Sequence, residues 1–170
     1  MSERADVIKQ FAKGLTPTLL GLVGVAMLAL PLRLFEGTAP LPLIPLLIVF
    51  FWSIYAPDYL PAPSIFVIGL LQDLYSGGPI GLWALIYLGV QYTFINQRSY
   101  FLGREQRVVW VGFMFATALA GAAFWAMTSL AAGNPMPLRP LALQLILTIA
   151  AYPVLAIAFS HLQRRVIAQR

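Results

Sequence analysis

Few residues in this chain can do chemistry, and Asp73 is the sharpest of them. It closes an apolar stretch within Gly69-Leu70-Leu71-Gln72-Asp73-Leu74-Tyr75-Ser76-Gly77-Gly78-Pro79-Ile80-Gly81. Three roles are open to a carboxylate in this setting. It can accept hydrogen bonds from the free N–H groups of the turn or of the next helix's first turn. It can serve a partner contact or an internal polar switch. It can relay a proton or an ion, but Glu36, Asp58 and Glu105 fall in loops and leave it no second intramembrane acid. Gly69 lies four residues before Asp73, on the same helix face. A neighbouring helix can therefore approach at Gly69 and meet the carboxylate one turn later. The Ser76-Gly77-Gly78-Pro79 break then turns the chain, and Pro79 suits the first position of the next helix.

Other catalytic repertoires lack their parts. With no cysteine, the chain has no thiol nucleophile, disulfide scaffold or CxxC metal site. His161 is the single histidine and has no carboxylate near it in sequence. Gly77-Gly78-Pro79-Ile80-Gly81 lacks the lysine of a phosphate loop and follows a helix-like block. The expectation is a protein that is not an enzyme and needs no cofactor or metal.

The elements that position Asp73 follow from composition. Hydrophobic residues make up 60% of the 170, and charged residues 10%, against about 25% in soluble domains. Such a chain cannot clothe a core in polar surface, so its apolar excess faces lipid. Six apolar blocks stand out, at residues 15–32, 41–56, 62–74, 80–95, 108–132 and 141–161. The third is shorter than the roughly 17–25 residues of a spanning helix.

Charge parity decides how to count it. If all six blocks span, one side carries Arg4, Lys9, Lys13, Arg98, Arg104, Arg107, Arg164, Arg165 and Arg170, while the other carries only Arg33 and Arg139. Dropping the third block spoils this asymmetry. Basic residues favour the cytoplasmic side, so six spans with both termini in the cytoplasm is the expected arrangement. It divides the chain into a tail at 1–14, a six-helix transmembrane domain at 15–161 and a basic tail at 162–170. The net charge of +5 is then topological, not a sign of nucleic-acid binding. The basic C-terminal tail could also touch anionic lipid.

Trp52, Tyr55, Tyr59, Trp83, Tyr100 and Trp110 lie near block ends, where interfacial aromatic anchors belong. Gly77, Gly81, Leu85 and Gly89 read as one small-residue stripe, and Gly112, Ala116 and Ala120 as another. Such stripes let helix backbones approach within one chain or across two.

The run Gly69-x-x-x-Asp73-x-x-Ser76-Gly77-x-x-x-Gly81-x-x-Ala84-Leu85 resembles the signature of the bacterial rod shape-determining MreD family. The match in sequence is concentrated at residues 57–85, with a weaker echo at Phe124-Trp125, and the six-block layout fits over nearly the whole chain. The resemblance implies an inner-membrane component of the cell-elongation machinery that helps organise lateral peptidoglycan synthesis and maintain rod shape. It implies binding to MreC, a bitopic periplasmic coiled-coil protein, and work alongside MreB and a RodA–penicillin-binding-protein synthase. Gly69, Asp73, Ser76, Gly77, Gly81, Ala84 and Leu85 are its motif residues, as a partner-binding or structural set. It also implies an all-α fold like that of the substrate-binding subunits of energy-coupling-factor vitamin transporters.

Those subunits supply the competing reading, a vitamin-type substrate-binding subunit. That function needs a cavity with several convergent polar groups. Near its spans the chain offers Asp73, Gln72, Asn96, Gln91, Gln144, Asn134 and scattered hydroxyls. This scarcity favours a membrane scaffold.

Overall fold

Residues 44–55 read IPLLIVFFWSIY, apolar on every side. A helix apolar all round belongs in an interior, and this one forms the centre of the molecule. The computed structural model describes residues 16–28 and 40–167, with side chains as far as His161. The elements are α1 (Thr16–Leu28), α2 (Ile44–Tyr55), a 3-10 turn (Pro57–Tyr59), α3 (Ala62–Ser76), α4 (Leu82–Asn96), the single turn α5 (Arg98–Phe101), α6 (Gln106–Ala132) and α7 (Leu138–Ile167). Every regular element among the described residues is helical.

In α2 every residue from Pro45 to Ile54 is buried. Pro45 sits in the first turn, where its missing N–H breaks no helical bond. Ser53 returns its hydroxyl to the Val49 carbonyl at 2.6 Å. Around α2 stand two helical hairpins, α3–α4 and α6–α7. Phe50 ties the centre to both: its ring meets Phe94 of α4 at 4.6 Å, Phe113 of α6 at 5.1 Å and Tyr152 of α7 at 5.9 Å, all edge-on. Edge-to-face contacts suit the quadrupoles of aromatic rings.

Close approach elsewhere depends on absent side chains. A Cβ on Gly121 would run into Leu145 of α7, and one on Gly112 into the ring of Phe101. The turn α5 thus folds Phe101 back beneath α6. Ala116 and Ala120 are buried along the same helix. The stripe Gly112, Ala116, Ala120 is therefore used for packing within the chain.

The apolar blocks locate the helices closely, but helix lengths differ from a uniform set of spans. Among the described residues two helices are long and apolar enough to cross a membrane, Gln106–Ala132 and Leu138–His161. Most of each apolar window faces outward, through residues such as Phe115, Leu119, Leu130, Ile146 and Val154. At 1.5 Å per residue, α6 and α7 run about 40 and 45 Å, while α2 runs about 18 Å and α3 and α4 about 22 Å. The hydrocarbon core is about 30 Å thick. The tail at 1–14, Arg33 and Arg170 lie outside the described residues.

Three expectations need correction. Trp52 and Trp83 are 0% and 2% exposed, so they are core residues and not interfacial anchors. Gly77 and Gly81 lie outside the helices with φ of +66° and +93°. They are turn residues and form no packing stripe with Leu85 and Gly89. Pro79 also lies in the turn, two residues ahead of the Gly81 cap, and does not open α4.

Candidate functional site

The motif residues assemble in the closely packed α3–α4 hairpin. Helix α3 opens with Pro63 in its first turn and ends at Gly77, whose left-handed backbone stops it. Helix α4 begins after Gly81, also left-handed and carrying no side chain with which to cap it. A helix start leaves N–H groups without partners and a partial positive charge. Asp73 supplies what Gly81 cannot.

The Asp73 carboxylate is 2% exposed and reaches across the turn. Its Oδ2 accepts the N–H of Gly81 at 2.9 Å, and its Oδ1 accepts the N–H of Trp83 at 2.9 Å. Each oxygen thus takes one main-chain donor at the positive end of α4. Hydrogen bonds to an ionised acceptor are about twice as strong as neutral ones. The Ser76 hydroxyl donates to the Asp73 carbonyl at 3.3 Å, steadying the last turn of α3.

One turn earlier, Gly69 permits the approach that makes this reach short enough. A Cβ at Gly69 would collide with the backbone of Ala84 and come within 2.9 Å of the Trp83 carbonyl carbon. Ala84 itself is wholly buried. Gly69, Asp73 and Ala84 therefore form one contact between two helices, with Gly77 and Gly81 shaping the turn beyond it. Leu85 is the exception among the motif residues. It is 66% exposed on the outer face of α4.

Several further polar groups secure the chain to itself. The Tyr87 hydroxyl donates to Gln72 Oε1. Gln91 donates to the Leu60 carbonyl at 2.9 Å. Gln144 donates to the Leu41 carbonyl at 3.0 Å, and Thr148 Oγ1 accepts the Leu43 N–H at 2.9 Å. These last two tie α7 to the entry of α2. Sequence alone marks Gln72, Gln91 and Gln144 as polar residues near spans. Tyr87 and Thr148 escape that reading, because Tyr and Thr in a span carry no signal of their partners. Trp83 escapes it too, as a supposed interfacial ring. No group of three or more metal-ligating side chains exists among the described residues.

Comparison with known proteins matches residues 9–165 to the family described as rod shape-determining protein MreD. No curated protein and no solved structure matches the chain. The match covers nearly the whole sequence and includes the Asp73-capped hairpin, all of α2 and both long apolar helices. This chain belongs to the MreD family of rod shape-determining membrane proteins.

Proposed function

We propose that this protein is a non-enzymatic, multi-pass component of the bacterial cell-elongation machinery, seated in the inner membrane, that binds MreC and helps organise lateral peptidoglycan synthesis. The observation that carries the reading is the family match across residues 9–165. The Asp73 geometry supports a scaffold. Both carboxylate oxygens are committed to main-chain donors, so the acid serves the hairpin's shape. Of the motif residues, Ser76, Gly77 and Leu85 are exposed, and Leu85 offers the apolar surface to touch a partner. MreB and the RodA–penicillin-binding-protein synthase are the further members of this assembly.

The proposed topology has six membrane crossings and both termini in the cytoplasm, with tails at 1–14 and 162–170. Its support is the placement of nine basic residues on one side against two on the other, as the positive-inside rule requires. The short α2 then crosses within a protein-lined interior, α3 and α4 each turn one face outward, and α6 and α7 meet the full lipid thickness. We propose the same small-bundle plan as the energy-coupling-factor substrate subunits, on the acid-then-glycine break between α3 and α4. Reporter tags at both termini are expected to read cytoplasm; a periplasmic C-terminal reporter overturns the six-crossing topology.

The partner is tested by co-purification in mild detergent, with this chain as tagged bait and the MreC-like protein of the same organism as prey. A stoichiometric complex that survives size exclusion is expected. A monodisperse bait that retains no MreC-like protein overturns the scaffold reading.

A further inference from the structure

A cavity of about 390 Å³ opens at the end of the bundle that carries the α3–α4 turn. It falls within the roughly 300–1,000 Å³ of small-molecule sites. No charged side chain lines it among the described residues. Its wall joins aromatic and aliphatic surface from Trp83, Phe124 and Leu141 to the amides of Gln72 and Gln144 and the hydroxyl of Ser76. Trp83 and Phe124 stack at 4.7 Å with 23° between their planes. They give the cavity a flat side.

The polar groups of this wall are incompletely used. Gln72 is 3% exposed, and Tyr87 engages only its Oε1. Gln144 spends one side-chain N–H on Leu41 and its main-chain carbonyl on Thr148, and keeps its side-chain oxygen. Trp83 is 2% exposed and its indole N–H has no acceptor. A buried donor without an acceptor is costly and rare enough in native structures to need a cause. Asp73, the nearest acid in sequence, cannot supply the acceptor, because both its oxygens hold main-chain N–H groups.

We propose that this cavity binds an uncharged, flat small molecule with an amide-like edge. Its ring lies along the Trp83–Phe124 side. Its carbonyl accepts from the Trp83 indole and the Gln72 amide, and its N–H donates to Gln144 Oε1. The described residues of the wall offer no counter-charge, and burying an unpaired ion costs far more than burying an amide. This inference does not rest on the MreC reading, and either can fail alone.

The test uses the full chain in detergent micelles with ¹⁵N-labelled indoles. The probes are acetanilide, N-methylbenzamide and 4-phenylbenzamide, three uncharged aryl amides. The chain has four tryptophans, so four indole N–H signals are observed, and Trp83→Phe assigns the relevant one. A saturable downfield movement of the Trp83 N–H proton is expected for at least one probe, with Trp110 unmoved as the internal control. Gln144→Leu is expected to weaken that probe's binding about tenfold, and Ser76→Phe to abolish it by filling the cavity. The proposal is overturned if no probe moves Trp83 saturably, or if Trp110 moves in parallel, which marks partition into the micelle. Binding unchanged in both Gln144→Leu and Ser76→Phe also overturns it. Should Ser76→Phe fail to fold, Gln144→Leu and the Trp110 control decide the matter.

Discussion

Gly69 of α3 lies directly over the backbone of Ala84 in α4, with no room between them for even a methyl group. The obstacle is main chain, which cannot swing aside as a side-chain tip can. Gly69→Ala must therefore push the two helices apart. Overpacking of this kind costs about 1–3 kcal/mol. Gly89 lies farther along α4, and a Cβ there meets nothing within 4 Å. We expect Gly69→Ala to lower the thermal unfolding midpoint in detergent clearly and Gly89→Ala to leave it unchanged or slightly raised. Equal midpoints for the two variants would contradict the close crossing.

Asp73 gives one oxygen each to Gly81 and Trp83. An asparagine has one carbonyl oxygen and can therefore satisfy one of those two donors. Its amide would face the other N–H. Each buried donor left unpaired costs about 1–3 kcal/mol. The expected order of stability is wild type, then Asp73→Asn, then Asp73→Ala, measured by denaturation in one detergent. An Asp73→Asn protein as stable as wild type would mean that a single hydrogen bond suffices.

Gly77 holds φ at +66° with open space around it. The cost of a side chain here is therefore conformational and not steric crowding by neighbours. Asn visits the left-handed region far more readily than a β-branched residue. Gly77→Asn is expected to fold almost as well as wild type, and Gly77→Val to lose about 1–2 kcal/mol. Parallel unfolding midpoints check this.

Leu85 and Asp73 should separate partner binding from folding. Leu85 is largely exposed, while Asp73 is buried. Leu85→Ala is expected to leave the unfolding midpoint within a degree or two and to reduce recovery of the MreC-like partner severalfold. Asp73→Ala should lower both. Full recovery of the partner with Leu85→Ala would move the interface away from the motif.

Much of the architecture was legible in the sequence, for physical reasons. Apolar runs broken by proline and glycine mark helix limits strongly, so the ends of α3, α4 and α6 fall within two residues of the apolar blocks. The facing of Gly69 and Asp73 follows from helical spacing alone. Depth in the bundle was not legible. Trp52 and Trp83 sit near block ends, and an aromatic there reads the same whether it meets lipid headgroups or a core. The Ser76-Gly77-Gly78-Pro79 break marked Gly77 as a turn residue, but spacing could not show that Gly81 belongs to the same turn, because four residues separate small residues in turns as well as in helices. The cavity was missed because Gln72 and Gln144 lie far apart in the chain and meet only through the tertiary fold.

The full burial of α2 has a consequence for how the protein is made. Synthesis runs from the N-terminus, so α2 leaves the ribosome before α4, α6 and α7, the helices that enclose it. Its main chain is completed later still. The Leu43 N–H and the Leu41 carbonyl are satisfied by Thr148 and Gln144, more than 100 residues downstream. A ribosome halted after α6 would hold a chain whose central helix lacks both its last wall and those two hydrogen bonds. In hydrocarbon an unpaired main-chain group costs several kcal/mol. The nascent protein therefore needs its final helix to close, and a membrane quality-control protease would find a product that ends before α7 open at its centre.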